Sequence, residues 1–275
     1  MYLCREDPLM RLLNTRGYQP IMMPQTNVTP PELYVFTERR MVRRGALSDY
    51  LPAGRVVPPL RTGSLPEFQS TVTNAMTLGA AGSFLADALR CIGVVGAPKL
   101  DLSFAEGRTL AFSFGGVTFA SLDPSKIDHL LDGLDTGAIP AGQIADGRLH
   151  LAYEYAYADT LLMRDASNAR AGLDLRAVKI DGFIDVGGKA EVSAESQTTL
   201  SFKAQSGPAA AFACKIGRLE RVATGWQFYP DEVMGAGLVA REGAPAPYLI
   251  QRGAILEVTG PEEATGPEEA DAQEA

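Results

Sequence analysis

Any chemistry in this chain must come from very few side chains. Its 275 residues include two histidines, His129 and His150, and three cysteines, Cys4, Cys91 and Cys214. Neither histidine has a companion at metal-ligand spacing, and there is no CxxC, phosphate loop, nucleophile elbow or zinc helix. Asp181 and Asp185 would share one face of a strand, but such a pair is ordinarily solvated. Cys4 as a nucleophile would need a general base beside it in space. A cysteine-dependent hydrolase or acyltransferase, with Cys4 or Cys91 next to His129 or His150, thus ranks behind binding or structural action. The reading is: not an enzyme, and no metal. The Gly115-Gly116 and Gly187-Gly188 pairs suit hairpin turns or bulges better than phosphate cradles.

Three widely spaced cysteines make no disulfide framework, so reduced thiols in a cytoplasm fit best. No apolar run reaches the ~18 residues of a transmembrane helix, and no secretory leader is seen. Charge is unevenly spread. The net charge is −8, yet Gly253–Ala275 alone holds seven acidic residues and no Lys or Arg, which leaves residues 1–252 near −1. The first 61 residues carry nine Arg against five Asp or Glu, with Arg39, Arg40, Arg43 and Arg44 clustered. That cluster could meet nucleic acid or anionic lipid, or be a solvated helix end or loop. A thiol near one end and a detachable acidic tail at the other suggest a regulated switch.

The elements that would position these residues alternate between helix and strand. Residues 5–16 read as a helix with Leu9, Leu12 and Leu13 on one face, stopped by Gly17. Prolines at 20, 24, 30 and 31 punctuate an extended passage, and 45–66 reads as mostly irregular. Residues 67–91 read as one helix. A hairpin follows, with Leu100, Leu102 and Phe104 in one arm and Leu110, Phe112 and Phe114 in the other. Residues 124–135 suggest a short helix, His150–Ala158 a strand with Leu151, Tyr153, Tyr155 and Tyr157 on one face, and 166–178 a helix. Alternation returns through Ile180–Val186, Ala190–Glu195 and Thr198–Ala204, and Phe212–Ile216 and Gly225–Phe228 read as closing strands. The order predicts an α+β fold, a twisted central, mostly antiparallel sheet with peripheral helices. The division is a body at 1–252 and a short segment at 253–275. The latter ends in a Thr-Gly-Pro-Glu-Glu-Ala repeat over 259–270, which is expected to be disordered.

The start Leu3-Cys4-Arg5-Glu6-Asp7-Pro8, the Gly17-Tyr18 helix ending, the proline-marked passage and the run Gly207–Lys215 resemble the bacterial gasdermins over essentially the full length. These are pore-forming effectors of cell suicide in antiphage defence. The resemblance implies a soluble, autoinhibited cytoplasmic monomer with a palmitoyl group on Cys4 folded into an apolar cavity. It implies a caspase-like protease that removes the C-terminal segment, and then homo-oligomerisation at the inner membrane as a large β-barrel. It implies no nucleic-acid partner, so Arg39, Arg40, Arg43 and Arg44 become candidates for anionic-lipid contact.

The chain's own physics is compatible with this. A palmitoyl chain, at ~0.8 kcal/mol per buried CH₂, could act as a core element, and one acyl chain gives only reversible membrane binding. Candidate membrane-spanning residues are Leu100, Leu102, Phe104, Leu110, Phe112 and Phe114, extended by Gly93–Pro98 and Gly115–Ala120, and Ile180, Ile184, Val186 and Val192 within Val178–Ala204. Ile255, Leu256 and Val258 would cover an edge or an oligomerisation face. Arg252-Gly253 is the preferred scissile bond, with Arg241-Glu242 the alternative and Tyr248–Ile250 a further possibility. The competing reading is a soluble acyl- or lipid-binding module that never opens a membrane.

Overall fold

A computed structural model describes residues 7–20, 28–37, 40–91, 108–144, 148–167, 190–196, 199–204, 209–223, 225–230, 248–251 and 254–257. The first element is α1 (Pro8–Thr15), with the Asp7 side chain capping it, Pro8 in its first turn, and Gly17 in the left-handed region at φ 79 just past its end. Its buried side is Leu9, Met10 and Leu13. Strand β1 (Gln19–Pro20) follows, then β2 (Glu32–Thr37) and β3 (Arg40–Ala46). The arginine cluster, where described, is thus on a strand rather than on a helix end or loop. A 3-10 turn (Leu47–Tyr50) and β4 (Arg61–Ser64) order part of the passage read as irregular.

The single helix read over 67–91 is two helices. They are α2 (Pro66–Ser70) and α3 (Leu78–Cys91), separated by an extended strap that includes β5 (Met76–Thr77). Tertiary bonds outcompete helix propensity here. The Thr73 N–H donates to the Phe112 carbonyl, and the Thr73 Oγ1 accepts from the Phe112 N–H.

The remaining elements are β6 (Thr109–Gly115), β7 (Thr118–Ser121), α4 (Ile127–Leu131), α5 (Ala141–Ile144), β8 (Leu149–Ala158), β9 (Thr160–Asp165), β10 (Ala190–Ser196), β11 (Thr199–Ala204), β12 (Ala210–Val222), β13 (Gly225–Pro230), β14 (Tyr248–Gln251) and β15 (Ala254–Glu257). The first hairpin arm lies outside the described residues, as does the helix read over 166–178 from residue 168 on; Ala166 and Ser167 are described and are not helical, the Ala166 N–H donating to the Thr109 carbonyl instead. Every described strand pairing is antiparallel.

Two sheets result. The large one runs β1-β12-β8-β2-β3-β15-β14, with β13 on β12 and the β4–β7 pair on β8; the small one runs β10-β11-β9-β6-β5. The chain crosses between them four times, and the crossings from β6 to β7 and from β8 to β9 are the two tight ones. These two touch: Gly116 has φ 58, and a Cβ there would lie 1.8 Å from the Asp159 Oδ1. Only glycine fits that corner.

The one-face reading of β8 needs correction. The register passes from Ala152↔Ile216 to Glu154↔Lys215 and skips Tyr153. This bulge turns Tyr155 to the opposite side. Leu151 and Tyr153 pack with Leu33, Leu149 and Leu219, whereas Tyr155 packs with Tyr34, Ala152 and Cys214. The predicted apolar set Ile127, Leu130, Leu131 and Leu134 does bury together against the first of these groups.

A two-faced sheet under a helical cover, and a strand-capped edge

The small sheet has the geometry of most functional interest. Its register sets Phe114 beside Leu161, Leu161 beside Phe202 and Phe202 beside Val192. The next row on the same face runs Phe112, Met163, Leu200 and Ala194. The interleaved rows are different. One is Ser113, Leu162, Ser201 and Ser193, and the next outward runs Gly115, Thr160, Lys203 and Glu191. Period-two alternation therefore gives one apolar and one mostly polar face across four strands. Exposed Lys203 and Arg164 lie on the polar side.

The apolar face is covered by helices. Leu110, Phe112, Phe114, Leu161, Met163, Leu200 and Phe202 share a core with Leu9, Met10 and Leu13 of α1, Phe68 of α2, and Phe84, Leu85, Ala88 and Leu89 of α3. Phe84 tilts against Phe112 at 4.7 Å between ring centroids. Phe114 stacks at 4.4 Å on Phe212 of the large sheet. At the far end of the small sheet, Arg108 and Asp165 pair at 2.8 Å and the Ala166 N–H donates to the Thr109 carbonyl. The undescribed passages before Arg108 and after Ser167 both join the chain at this end.

Of the predicted spanning residues, Leu110, Phe112 and Phe114 lie together on the apolar face, and Val192 stands in register with Phe202. Leu100, Leu102, Phe104, Ile180, Ile184 and Val186 lie outside the described residues. The extension through Gly115–Ala120 does not continue β6: the chain turns at Gly116 and Thr118–Ala120 pair with β4 and β8 of the large sheet. Strand β9 was missed altogether. Its alternation is blurred because Leu162 stands between Leu161 and Met163, on the polar side.

A second feature lies on the large sheet. The C-terminal hairpin adds β15 to β3, with Ala254↔Val42, Ile255↔Met41 and Leu256↔Arg40. The β14 strand lies near β1, at the opposite edge of the same sheet. The predicted covering residues Ile255 and Leu256 are thus strand partners of β3, and Val258 lies outside the described residues. Arg252 and Gly253 lie between Gln251 and Ala254, and like Arg241, Glu242 and Cys4 they are outside the described set.

Next to that edge, Arg43 binds Glu32 through both Nε, at 2.9 Å, and Nη2. Glu32 is 1% exposed and also accepts from the Tyr155 hydroxyl at 2.8 Å. The Tyr34 and Tyr155 hydroxyls are 2.8 Å apart, and burial pushes both well above the usual phenol range. Arg43 is therefore committed to an internal carboxylate. Arg40 stands opposite Thr37 and Leu256, and Arg39 is outside the described residues.

Elsewhere Glu154 accepts from the Tyr18 hydroxyl and pairs with Lys215 at 2.8 Å, which ties β1 to the central strands. His150 is buried and held down to about 4 by that burial, with Arg218 adding to the effect. Cys214 is buried on β12, and His129 is in α4. Among the described residues no three His, Cys, Asp or Glu group as a metal site, and no helix is long and apolar enough to cross a membrane.

The described body is thus an antiparallel α+β fold in which helices cover the apolar face of the small sheet. The sequence model of the Bacterial Gasdermin Family matches residues 21–235. The chain belongs to that family, whose members are pore-forming proteins. It is similar to the gasdermin bGSDM of Piscinibacter sakaiensis, with 46% identity over 257 residues, 93% of this chain and 96% of that one. In fold it is similar to a bacterial gasdermin from Bradyrhizobium tropiciagri, with a TM-score of 0.54 at 15% identity, covering 83% of this chain and 94% of the other.

Proposed function

We propose that the chain is an autoinhibited pore former whose small sheet becomes the wall of a membrane β-barrel. The observation that carries this is the row-by-row segregation of that sheet. Phe114, Leu161, Phe202 and Val192 stand in one row and Ser113, Leu162, Ser201 and Ser193 in an interleaved one. Barrels in lipid need this apolar-out, polar-in alternation with all backbone groups paired. The strands β6, β9, β10 and β11 have 7, 6, 7 and 6 residues, short of the ~9–11 that span a bilayer. Growth comes from the Arg108–Asp165 end, where residues 93–107 and 168–189 supply length and Gly187-Gly188 a tip turn. Edges β10 and β5 are not equivalent, so copies join head to tail and close a ring.

At rest the protein is a cytoplasmic monomer. Its C-terminal segment, 253–275, satisfies the β3 edge and holds the acidic repeat away from anionic lipid. An open edge strand is a template for another chain, which supports edge capping as the inhibitory contact. A caspase-like protease releases the segment. Cutting at Arg252 frees β15 with the tail, whereas cutting at Arg241 frees β14 as well. The body's charge then moves from −8 towards −1, and it assembles on the anionic inner membrane to kill the cell in antiphage defence. Cys4 carries a palmitoyl group, Arg39, Arg40 and Arg44 meet lipid head groups, and Arg43 joins them only if Glu32 lets it go. No catalytic step, metal or nucleic acid enters.

The test is dye release from anionic liposomes by the intact chain and by chains cut at inserted protease sites after Arg252 or Arg241. Release only after cutting is expected. A soluble, fully cut protein that leaves liposomes intact at both sites would favour a lipid-binding module. Intact mass spectrometry of the N-terminal peptide reads the acyl group on Cys4.

A further inference from the structure

The apolar face of the small sheet can meet lipid only after α1, the strap and α3 have left it. One buried carboxylate ties these parts together. Asp7 is 3% exposed and spends its two oxygens on different elements. Its Oδ1 accepts from the N–H of Leu9 at 2.9 Å and of Met10 at 3.4 Å, which starts α1. Its Oδ2 accepts from the N–H of Asn74 at 2.8 Å, in the strap between α2 and α3. One residue earlier, Thr73 donates to the Phe112 carbonyl at 2.8 Å and accepts from the Phe112 N–H at 3.0 Å. The strap is therefore fastened to β6 on one side and to the N-terminal helix on the other. Apolar packing follows the same path, since Leu9, Met10 and Leu13 share a core with Phe84, Leu85 and Phe112. Among the described residues α1 is also tied to this layer by the Arg16–Glu67 pair, at 3.9 Å with Arg16 56% exposed, which is worth little.

We propose that Asp7 is a positioning residue for the pore-forming change: its Oδ2 bond to Asn74 latches α1 to the strap, and the helical cover leaves the small sheet only once this bond opens. The proposal rests on the small sheet being the inserting element. Burial pushes the Asp7 carboxyl above its ordinary range while the N–H groups of Asn74, Leu9 and Met10 pull the other way; in its ionised form a carboxylate accepting from a backbone N–H makes one of the stronger hydrogen bonds. Asp7 also stands three positions after Cys4.

Two variants separate the latch from the helix cap. Asp7→Asn keeps an oxygen for the Leu9 and Met10 N–H groups, the orientation that serves two donors, and Asn caps helices about as well as Asp. It then presents an NH₂ group to the Asn74 N–H. Asp7→Ala removes latch and cap together. Both are compared with the unaltered chain in two assays: dye release from anionic phospholipid vesicles after cutting behind Arg252, and amide exchange in the uncut proteins. Expected are release about tenfold faster in both variants, the scale of one charge-assisted bond, and faster exchange at Asn74 and Phe112 with Tyr155 and Ala156 unchanged. Unchanged release with Asp7→Asn and faster release with Asp7→Ala alone would assign the effect to the cap and overturn the latch. Exchange raised throughout β8 and β12 would mean general destabilisation and would overturn it too. If the unaltered chain releases no dye after cutting behind Arg252 or behind Arg241, the pore reading fails. The exchange at Asn74 still decides whether Asp7 holds the strap, because it needs no membrane.

Discussion

The two sheets are made of the same kind of strand and bury their faces in different ways. In the large sheet both sides are filled by the chain's own core. One side carries Leu33, Leu149, Leu151 and Leu219 under α4; the other carries Tyr34, Tyr155, Cys214 and Ile216 with the Glu32–Arg43 pair among them. In the small sheet one face is polar, and the other is covered by helices that enter it from the N-terminal third of the chain. A sheet with polar bonds locked inside it loses them if it opens. A sheet whose apolar face packs on apolar side chains, with Thr73 as a polar tie of the cover to β6, can trade helices for lipid tails at little cost once that tie opens, because the hydrophobic effect is non-directional. On the proposed pore reading, the large sheet is the scaffold and the small one the moving part.

The largest expected effect that would break this contrast is at Glu32. Removing one partner of a buried ion pair costs about 3–5 kcal/mol, so Glu32→Ala should lower the unfolding free energy of the intact protein, read from a denaturant titration, by that amount. A loss below about 1 kcal/mol would remove the large sheet's claim to be the rigid scaffold. Next come Val192→Lys and Ser193→Lys, neighbours on β10 whose register positions fall on opposite faces. A lysine on a lipid-facing site costs ~2–4 kcal/mol at mid-bilayer. Dye release by the cut protein should collapse with Val192→Lys and persist with Ser193→Lys. Equal behaviour would contradict the face assignment.

A smaller effect belongs to His150 in the scaffold. Burial holds its folded value down to about 4 against an ordinary 6.5. Protons therefore bind the unfolded chain first. The stability gained from keeping His150 neutral is present above pH 6.5 and falls as the pH drops from there towards 4, by about 1 kcal/mol at pH 5.5. Urea titrations across that range should show the slope, and His150→Gln should flatten it. The smallest effect is Arg16→Ala, which removes an exposed pair and should change the melting transition by less than about 0.5 kcal/mol.

Much of the architecture was readable without coordinates, and the failures have specific causes. The alternation at Leu110–Phe114 and Ala190–Ala204 marks strands because a two-residue period has no other interpretation over that length. β9 escaped because Leu162 interrupts the pattern. The helix drawn over 67–91 was too long because Thr73 and Asn74 prefer bonds to Phe112 and Asp7, partners far away in sequence. The four tyrosine and leucine positions of β8 were placed on one face because a bulge leaves no mark in a single strand's sequence. It exists only as a mismatch with β12. For the candidate site, Leu110, Phe112, Phe114 and Val192 were found from their own periodicity. Leu161, Met163, Leu200 and Phe202 complete their face but needed the strand order to be recognised.

The sequence by itself determined the α+β class, a first helix, read over 5–16 and found at Pro8–Thr15, the period-two strands, the separate charge of the tail and the family. All of these depend on residues near each other along the chain or on the order of whole segments. Only the tertiary structure decided which strands share a sheet, which face of each looks at the helices, that the C-terminal segment adds a strand to β3, that Arg43 belongs to Glu32, and that Asp7 reaches Asn74. Those facts are pairings between positions tens of residues apart. Local propensity carries no information about them, and packing selects one arrangement from many that the same pattern would allow.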